Sequence, residues 1–581
     1  MRDGHGPGRR GGRERGSAAR WAVAVTDEGA TLLCPLDGQG RAAGPVVTGP
    51  DVARAVAERT ASGPVTRWVW RSTAQVYPRL LEAGVRVERC HDVEACEALL
   101  LGHEGRWGEP RSLSAAWARL HRAPVPDDPP LPAADRQPSL FAPGPVPLPP
   151  DTDPLAALLE VYAGQLRRVE AAGRPERMRL LLAAESAGTL VAAEMNRAGV
   201  PWRADVHREL LRELLGESYP GGEPARLAEL AEEVSRAFGP GVRVRPDLPA
   251  DVVRAFTRDG IRLSSTRAWE LRKIDHPAVA PLLRHKTLYR LHTAHGRSWL
   301  RTWVRDGRFH PGYVPGGSVT GRWTSNGGGA LQIPKVVRRA VVADQGWRLV
   351  VADADQMEPR VLAAVSRDRG LMEVAGSGRD MYSVLSDRAF GGDRDRAKLA
   401  LLGAVYGQTS GDGLRHLADL RRRYPAAVAY VDEAARAGEE GRLGRTWLGR
   451  TCPPSAAREA DPGDGGAGPP GPPEPDAPGP SGGGAARARG RFTRNFVVQG
   501  SGADWMLLVL ASLRQSLAGM HAELVFFQHD EVIVHCPARE ADAVAEAVRA
   551  AGERAGRAAF GETPVRFPFT TAVVECYADA R

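Results

Sequence analysis

The sequence predicts an α+β protein in which a small α/β domain precedes a larger region of helices and strands. Residues 21–120 alternate short apolar runs, typical of strands, with helical stretches. Amphipathic helices dominate from about residue 155 to residue 300, and strands and helices are mixed from there to residue 581. The chain has 581 residues, 43% of them hydrophobic, which is enough for roughly three or four domains with a large buried core.

Stretches rich in Gly, Pro or Arg predict where the folded domains end. The sequence opens on a Gly/Arg-rich segment, becomes Pro-rich after Ala123, and has 14 Gly or Pro among the 20 residues from Asp461 to Pro480. Such composition cannot bury a packed core. The predicted organisation is a disordered basic tail (1–20), an α/β domain (21–122), a Pro-rich linker (123–154), a helical region (155–300) and a mixed region (301–581) that is interrupted by a disordered insertion (453–490).

Composition also narrows the class of protein. No apolar run approaches the length of a membrane span, and the first residues lack the hydrophobic stretch of a signal peptide. The six cysteines are scattered without a CxxC pair, so we expect buried thiols in a reducing cytoplasm. The net charge of +8 permits an anionic partner. Only four of the 78 basic residues are lysines, and Lys, unlike Arg, can release a proton.

Period and composition predict individual elements within these regions. The apolar runs in the first domain favour strands, and a spacing of three to four residues favours helices. The predicted elements are strands at Trp21–Val25, Thr31–Cys34 and Val65–Trp70, and helices at Val76–Ala83, Arg177–Arg197 and Ala250–Asp259.

Two segments of the second half place carboxylates at the ends of predicted strands. A buried strand is predicted to end at Asp353, and the helix that follows accommodates Pro359 in its first turn, where no backbone N–H is needed. Further along, two apolar strands flank a tight turn with His529, Asp530 and Glu531 at its tip. Carboxylates in such places can hold hard cations such as Mg²⁺ through oxygen ligands.

A third segment places two cations on one side of a predicted helix. Arg394, Lys398, Leu402 and Tyr406 recur every four residues and therefore lie along one face. Two cations followed by an apolar residue and a phenol suit a triphosphate followed by a sugar and a base. Taken singly, each of the three segments favours the ordinary interpretation: a strand that ends at a surface acid, a hairpin turn or an amphipathic helix. The evidence lies in their occurrence together, in this order.

Together, the three segments resemble those of the family A DNA polymerases, the group of bacterial DNA polymerase I, and most of all the actinobacterial bifunctional 3′-5′ exonuclease/DNA polymerase proteins. Residues 353–360 resemble motif A of that family, residues 394–407 motif B and residues 529–531 motif C. The resemblance spans roughly residues 155–581 and implies a right-hand fold of palm, fingers and thumb behind a ribonuclease-H-like exonuclease domain. Supporting similarities are Thr320–Arg322 with Leu331–Pro334 (template-primer contacts), Arg491–Gly500 (the helix after the fingers) and Arg177–Trp202 (the entry to the thumb).

The resemblance implies a role for each candidate site residue in DNA-templated DNA synthesis. Asp353, Asp530 and Glu531 would bind two Mg²⁺ ions, or Mn²⁺ in their place, and Lys398 would protonate the leaving pyrophosphate. The residues implied for the incoming dNTP are Gln356, Glu358, Tyr382, Arg394, Lys398, Leu402 and Tyr406. Those implied for primer-template DNA are Arg322, Gln332, Arg491, Asn495, Gln499 and His529.

Within this set, Glu358 would exclude the 2′-hydroxyl of a ribonucleotide, and Arg394 with Lys398 would neutralise the triphosphate. Two positions depart from the family pattern. Leu402 stands where the family usually has Phe or Tyr, and Tyr382 stands where the fingers usually offer a His. Neither departure removes a metal ligand, so we expect activity with altered rate or fidelity.

The amino-terminal domain lacks the acidic pattern of a 3′-5′ exonuclease. Asp27 and Glu28 are adjacent, so in an extended chain they would lie on opposite faces. Tyr77 stands in the place of an aspartate of the second exonuclease motif, and we expect Asp92 and Glu94 to form a solvated face. The sequence therefore predicts a degenerate, inactive exonuclease domain that is kept as a scaffold.

The Pro-rich linker contains a candidate partner-binding peptide. Gln137, Leu140 and Phe141 form a Gln-x-x-Leu-Phe pattern that resembles peptides bound by the bacterial sliding clamp. Two apolar anchors in a flexible segment suit binding to a pocketed surface. A chance match, or packing of this pair onto the neighbouring domain, explains the pattern equally well.

The resulting expectation is a monomeric DNA polymerase of the cytoplasm, associated with the nucleoid, that acts in repair or gap filling. Three alternatives stay open. A single-subunit RNA polymerase shares the aspartates and cations, but Glu358 and the primer-contact segment argue against it. A clamp-tethered DNA-binding scaffold with weak or no activity is disfavoured by the intact Asp353 and Asp530. The third alternative is a polymerase that keeps its 3′-5′ exonuclease activity.

Overall fold

The chain folds into two units, each built around its own β-sheet. The first unit takes in the described residues of segments 1–130, 143–190 and 448–453, and the second takes in those of 191–447 and 454–581. The computed structural model describes residues 19–26, 28–61, 66–129, 146–217, 222–325, 333–406, 413–453 and 482–580. Most of the predicted tail and of the predicted insertion lies outside these residues.

The first unit is an α/β fold. Its elements are β1 (Arg20–Val25), β2 (Thr31–Leu36), β3 (Val47–Gly49), α1 (Val52–Ala61), β4 (Arg67–Trp70), α2 (Thr73–Glu82), β5 (Arg89–Asp92), α3 (Val93–His103), α4 (Leu113–His121), α5 (Pro154–Glu170) and the first part of α6 (Pro175–Ala198). The strands form a mixed sheet in the order β3-β2-β1-β4-β5, in which β1, β4 and β5 run parallel and β2 is antiparallel to both neighbours. The predicted strands and the predicted helix of this domain are confirmed within the described residues.

Helix α5 belongs to the core of this first unit. Its Leu158 and Tyr162 are buried in one cluster with Ala22 of β1 and Val69 of β4. The sequence pattern assigns α5 to a helical region (155–300) separate from the first domain, whereas the packing places α5 with the first sheet. α5 is amphipathic like the helices that follow it. The spacing of apolar residues predicts such a helix but does not tell which sheet the helix covers.

The second unit carries helices before and after a central sheet. Its elements are β6 (Val200–Pro201), α7 (Ala204–Leu215), α8 (Ala225–Ala237), α9 (Pro249–Arg258), α10 (Ala268–Leu271), α11 (Val279–His295), α12 (Arg297–Trp303), β7 (Val304–Arg305), β8 (Arg308–Phe309), β9 (Tyr313–Val314), β10 (Thr324–Ser325), β11 (Trp347–Ala354), α13 (Met357–Ser366), α14 (Arg369–Gly376), α15 (Met381–Ala389), α16 (Arg394–Tyr406), α17 (Gly413–Arg423), α18 (Pro425–Glu439), α19 (Gly482–Ser516), β12 (Glu523–Gln528), β13 (Glu531–Pro537), α20 (Ala541–Phe560) and β14 (Phe569–Val574).

The central sheet of the second unit has the order β12-β13-β11-β14, with all neighbours antiparallel. β11 lies in the middle and is almost entirely buried, as its run of apolar residues predicts. β12 and β13 form the predicted hairpin, and α13 begins three residues after β11. The last residues of β11 and the tip of the hairpin therefore lie at the same end of the sheet.

Helix α19 begins earlier than the sequence predicts. Residues 482–490 were expected to belong to the disordered insertion, but they form the first turns of α19. Close packing against α18 explains the difference: a Cβ at Gly490 would lie 2.6 Å from Glu439 Cγ, and one at Gly438 would lie 2.8 Å from the Arg489 carbonyl oxygen. Glycines that lower helix propensity here allow two helices to approach closely.

The same helix is long and apolar enough to cross a membrane by length and composition. Within Gly484–Gly519 the most apolar window has a mean hydropathy of 1.4. However, 83% of that window is buried inside the protein, as expected for a core helix.

Candidate active site

Asp353 and Asp530 lie close together at one end of the central sheet because β11 and β13 are neighbouring strands. Asp353, near the end of β11, lies directly opposite Glu531, the first residue of β13. Asp530 is in the turn before β13, and its backbone carbonyl accepts a hydrogen bond from the Ala354 N–H at 3.0 Å. His529 completes the tight turn with a φ of +54°. The structure thus brings together the three carboxylates predicted as metal ligands.

These carboxylates raise each other's pKa. Although solvent reaches the Asp353 side chain, the surrounding protein desolvates it, and this together with the charges of Asp530, Glu531 and Asp355 raises its pKa to about 7. Burial also raises the pKa of Asp530, and the charges of Glu358 and Glu531 act in the same direction. Closely spaced carboxylates without a matching cation repel each other, and a bound cation relieves that repulsion.

The donor set fits Mg²⁺. Asp353, Asp530 and Glu531 offer only carboxylate oxygen atoms, which Mg²⁺ prefers. Among the described residues, no group of three or more His, Cys, Asp or Glu side chains converges closely enough to enclose an ion. An open site of this kind suits Mg²⁺, which is commonly held by one or two carboxylates together with water and substrate phosphates.

Glu531 lies within reach of a cation on the segment before β11. The Arg338 guanidinium lies 3.9 Å from the Glu531 carboxylate and stacks over the Tyr577 ring at 4.2 Å. Burial raises the pKa of Tyr577, and the neighbouring Glu531 charge contributes to the rise. Arg338 is therefore the cation that faces Glu531, and the Tyr577 ring supports Arg338; sequence reasoning identified neither of them.

Glu358 and Arg322 form an ion pair on the other side of the carboxylates. Arg322 Nη2 donates a hydrogen bond to Glu358 Oε1 at 2.9 Å, and both side chains are largely buried. Burial, reinforced by the Arg322 charge, lowers the pKa of His529 to about 4, so its ring is neutral at pH 7. A small pocket opens beside these residues, with Trp323 and Phe527 among its walls.

Helix α16 carries the predicted cationic face. Arg394 is its first residue, and Lys398 follows one turn later with its side chain exposed. Leu402 is half-buried on the next turn. The helix extends to Tyr406, but the side chain of Tyr406 lies outside the described part of the chain.

A chain of hydrogen bonds connects the end of β11 to α16. Gln356 follows Asp355 with a φ of +51°, and its amide donates a hydrogen bond to Asp380. Asp380 in turn accepts two hydrogen bonds from the Arg394 guanidinium, at 2.9 and 3.2 Å. The Arg394 guanidinium lies over the Tyr382 ring at 5.5 Å. Hydrogen bonds therefore connect the segment just after Asp353 to the first residue of α16.

Sequence reasoning did not identify Asp380. Asp380 caps α15, because its Oδ1 accepts the Ser383 N–H at 2.7 Å. The pattern Asp-x-x-Ser at the start of a helix indicates such a cap. Nothing in that local pattern indicates the contact with Arg394, which is 14 residues away.

The residues predicted to contact DNA are only partly described. Arg491, Asn495 and Gln499 lie four residues apart along α19, with Arg491 exposed and the other two half-buried. The Asn495 Oδ1 atom is buried and has no hydrogen-bond partner among the described residues. Gln332 lies in the segment 326–332, outside the described residues, and so do Gln137, Leu140 and Phe141 of the linker.

In the first unit, Asp92 and Glu94 do not form the predicted solvated face. Asp92 is only 3% exposed and caps α3, accepting the Ala95 N–H at 2.9 Å and the Thr73 N–H at 2.7 Å. Glu94 pairs with Arg71 at 2.7 Å. The prediction was wrong because β5 ends at Asp92, so the two acids lie on different elements.

The other positions considered for the exonuclease are described in part. Tyr77 is fully buried on α2 and stacks on Trp70 with ring centroids 6.2 Å apart. Glu28 is exposed in the turn after β1, and Asp27 lies outside the described residues. Cys90 and Cys96 are buried thiols that take part in no disulfide, as predicted.

Comparison with known proteins adds to this geometry. The family model described as DNA polymerase family A matches residues 252–568, which is more than half of the chain. The chain belongs to DNA polymerase family A. The matched segment contains all three motifs and ends just before β14, so the resemblance inferred from those motifs is confirmed.

Individual family A relatives match over part of their length. DNA polymerase I of Chloroflexus aurantiacus is 30% identical over 273 residues, which cover 42% of this chain and 26% of that protein. A thermostable DNA polymerase I of Thermus thermophilus is 28% identical over 314 residues, covering 51% of this chain and 36% of that protein. This chain thus spans about a quarter to a third of the length of these relatives.

A solved structure matches nearly the whole family A chain. The POL domain of Pol1 from M. smegmatis, in complex with a DNA primer-template and dNTP, superposes with a TM-score of 0.68 at 20% identity. The match covers 97% of this chain and 96% of that one. It confirms the α+β polymerase fold.

Proposed function

We propose that this chain is a DNA-templated DNA polymerase that adds dNTPs to a primer 3′ end by two-metal nucleotidyl transfer. The observation that carries the proposal is the placement of Asp353 and Asp530 at one end of the sheet, where Asp353 lies opposite Glu531 and the Ala354 N–H bonds the Asp530 carbonyl. Gln356, three residues after Asp353, is hydrogen-bonded to Asp380, which accepts two hydrogen bonds from Arg394 at the start of α16. A cation site and a triphosphate-binding helix are the two elements that this reaction requires.

Each residue has a defined task in this reaction. When bound, two Mg²⁺ ions would stabilise the attacking 3′-hydroxyl and the leaving pyrophosphate. Asp353 and Asp530 would hold these ions, and Arg394 with Lys398 neutralises the triphosphate. Lys398 then transfers its ammonium proton to the leaving pyrophosphate.

Glu358 and the DNA-facing residues select and align the substrates. Arg322 fixes the Glu358 carboxylate, which leaves no room for a ribose 2′-hydroxyl. The neutral His529 and the side chains of Asn495 and Gln499 offer hydrogen bonds to the primer-template. Incorporation of dNTPs but not rNTPs distinguishes this proposal from a single-subunit RNA polymerase.

Extension of a 5′-labelled primer hairpin with Mg²⁺ and dNTPs tests the proposal. We expect Asp353→Asn and Asp530→Asn each to lower the extension rate by at least about a hundredfold, because each removes a charged oxygen ligand. Asp542→Asn is the matched control, since Asp542 is exposed on α20 and its loss removes the same charge from the same unit. A wild-type protein that binds the hairpin without extending it would contradict the proposal and favour the scaffold.

The first unit, we infer, has no 3′-5′ exonuclease activity. Asp92 is used as a helix cap and Glu94 as a partner of Arg71, so neither carboxylate is available to a metal ion. We expect the same labelled hairpin to stay intact without dNTPs for as long as full extension takes with them. Shortening of the primer that Asp92→Asn abolishes would contradict this inference.

The biological setting is also part of the proposal. A family A enzyme without exonuclease activity suits short synthesis in repair or gap filling, as a monomer in the cytoplasm. The sliding clamp would bind the peptide that contains Gln137, Leu140 and Phe141. Unchanged clamp affinity of a Leu140→Ala/Phe141→Ala double variant would contradict this clamp interaction.

A further inference from the structure

Arg394, the residue that begins α16, is already engaged by a carboxylate. Its Nε and Nη2 atoms donate to the two oxygens of Asp380, at 3.2 and 2.9 Å, in a fork-to-fork arrangement. The Arg394 side chain is 49% exposed and that of Asp380 is 31% exposed, so solutes can reach the pair. Guanidinium groups bind carboxylates and phosphates through this same two-pronged geometry.

Asp380 is held in place independently of Arg394. The Ser383 N–H and hydroxyl both donate to Asp380 Oδ1, at 2.7 and 2.9 Å, and the Gln356 amide donates to Oδ2. The Met381 N–H donates to Gln356 Oε1 at 2.9 Å, which locks that amide. Although burial opposes it, the hydrogen bonds from Arg394 and Ser383 hold the pKa of Asp380 at about 2. Asp380 is thus a fixed anion at neutral pH.

We propose that Asp380 is a positioning residue that competes with the phosphates of the incoming nucleotide for the guanidinium of Arg394. The inference rests on the proposed function, which assigns Arg394 to the triphosphate. Nε and Nη2 cannot serve a carboxylate and a phosphate with the same hydrogen bonds. A triphosphate must therefore displace Asp380 from the Arg394 guanidinium. A ligand with too little negative charge leaves the ion pair between Arg394 and Asp380 intact.

Asp380 competes with phosphates for Arg394, the first cation of α16, and not for Lys398, the second. Lys398 is exposed one turn further along, where it can meet the triphosphate first. The Tyr382 ring under the guanidinium supports Arg394 as it turns away from Asp380, because the ring face attracts a cation in either orientation. Asp380 thereby makes release of Arg394 depend on a polyphosphate.

Binding of inorganic tripolyphosphate to the full-length protein, measured by calorimetry, tests the proposal without requiring catalysis. Asp380→Asn keeps the size and the capping ability of the side chain but removes the anion. We expect Asp380→Asn to bind tripolyphosphate about two- to fivefold more tightly than wild type, which is the range expected for loss of a partly exposed ion pair. In primer extension the KM for dNTP should fall by a similar factor.

Asp387→Asn is the matched control. Asp387 lies on the same helix, α15, is exposed and pairs with Arg379, so its substitution removes the same charge without touching Arg394. We expect it to leave tripolyphosphate affinity unchanged. Equal tightening by Asp387→Asn would show a general charge effect and overturn the proposal.

Arg394→Gln separates this inference from the proposed function. We expect Arg394→Gln to weaken tripolyphosphate binding, and adding Asp380→Asn to it to change nothing further, because the competition acts only through Arg394. If Arg394→Gln weakens binding but Asp380→Asn does not tighten it, the competition is wrong and the role of Arg394 stands. If Arg394→Gln leaves binding unchanged, both the assigned role and the competition are wrong.

Discussion

Asp353, Asp380 and Asp92 are chemically identical side chains in three different surroundings. Desolvation and neighbouring carboxylates raise the pKa of Asp353 to about 7. Hydrogen bonds from Arg394 keep that of Asp380 at about 2 against the effect of burial. Burial raises the pKa of Asp92, which backbone N–H groups fix as a helix cap. At the residue scale, the neighbours therefore decide which aspartate suits a metal ion, which binds a cation and which supports the fold.

Substitution of Asp92 tests its structural role. We expect Asp92→Ala to lower the free energy of unfolding of the first unit by about 2 kcal/mol, because the Thr73 and Ala95 N–H groups lose their acceptor. Asp92→Ser, which restores only the cap, should cost about half as much. Urea unfolding gives the free energy, and hydrogen exchange of the α3 amides localises the loss. A variant Asp92→Ala of unchanged stability would contradict the structural role.

At the scale of elements, the sequence predicts where strands and helices are but not how they pair. The apolar runs in Glu523–Gln528 and Glu531–Pro537 on either side of a tight turn predict the hairpin, and Pro359 predicts the start of α13. The irregular pairing between Leu524 and Phe526 and the placement of Asp353 opposite Glu531 depend on contacts with distant strands.

Helix α19 shows the limit of composition at this scale. Its first turns are rich in Gly, which in isolation favours disorder. Packing of Gly490 and Gly438 at the α18–α19 contact overrides that preference. Local composition predicts helix formation only where no neighbouring element supplies further stabilisation.

At the scale of the whole molecule, each unit buries histidines in neutral form. Burial lowers the pKa of His91 in the first unit, and of His207 and His295 in the second, to about 4. His91 is hydrogen-bonded to Gln165 at 2.9 Å, and His207 accepts from Trp202 Nε1 at 3.3 Å. Nearby basic side chains act in the same direction as burial. Arg20 and Arg67 lower the pKa of His91, Arg208 lowers that of His207, and His207 lowers that of His295.

Acid should therefore destabilise both units. Between about pH 6.5 and pH 4 the unfolded state binds protons that the folded state excludes, so the free energy of unfolding falls as the pH falls. For His91 we expect a loss of about 2 kcal/mol between pH 7.5 and pH 5. Urea unfolding of wild type and of His91→Gln at both pH values measures it. The variant should lose about that much less on acidification, and equal losses would contradict the assignment.

The sequence by itself determined the family, the positions of the main elements and the identity of the motif residues, because these depend on residues that lie close together in the chain. Only the tertiary structure decided that α5 joins the first sheet, that Asp92 is buried and that Asp380 binds Arg394. Each of these depends on side chains brought together from separate elements, and the free energy of such contacts comes from burial and geometry that no local pattern records.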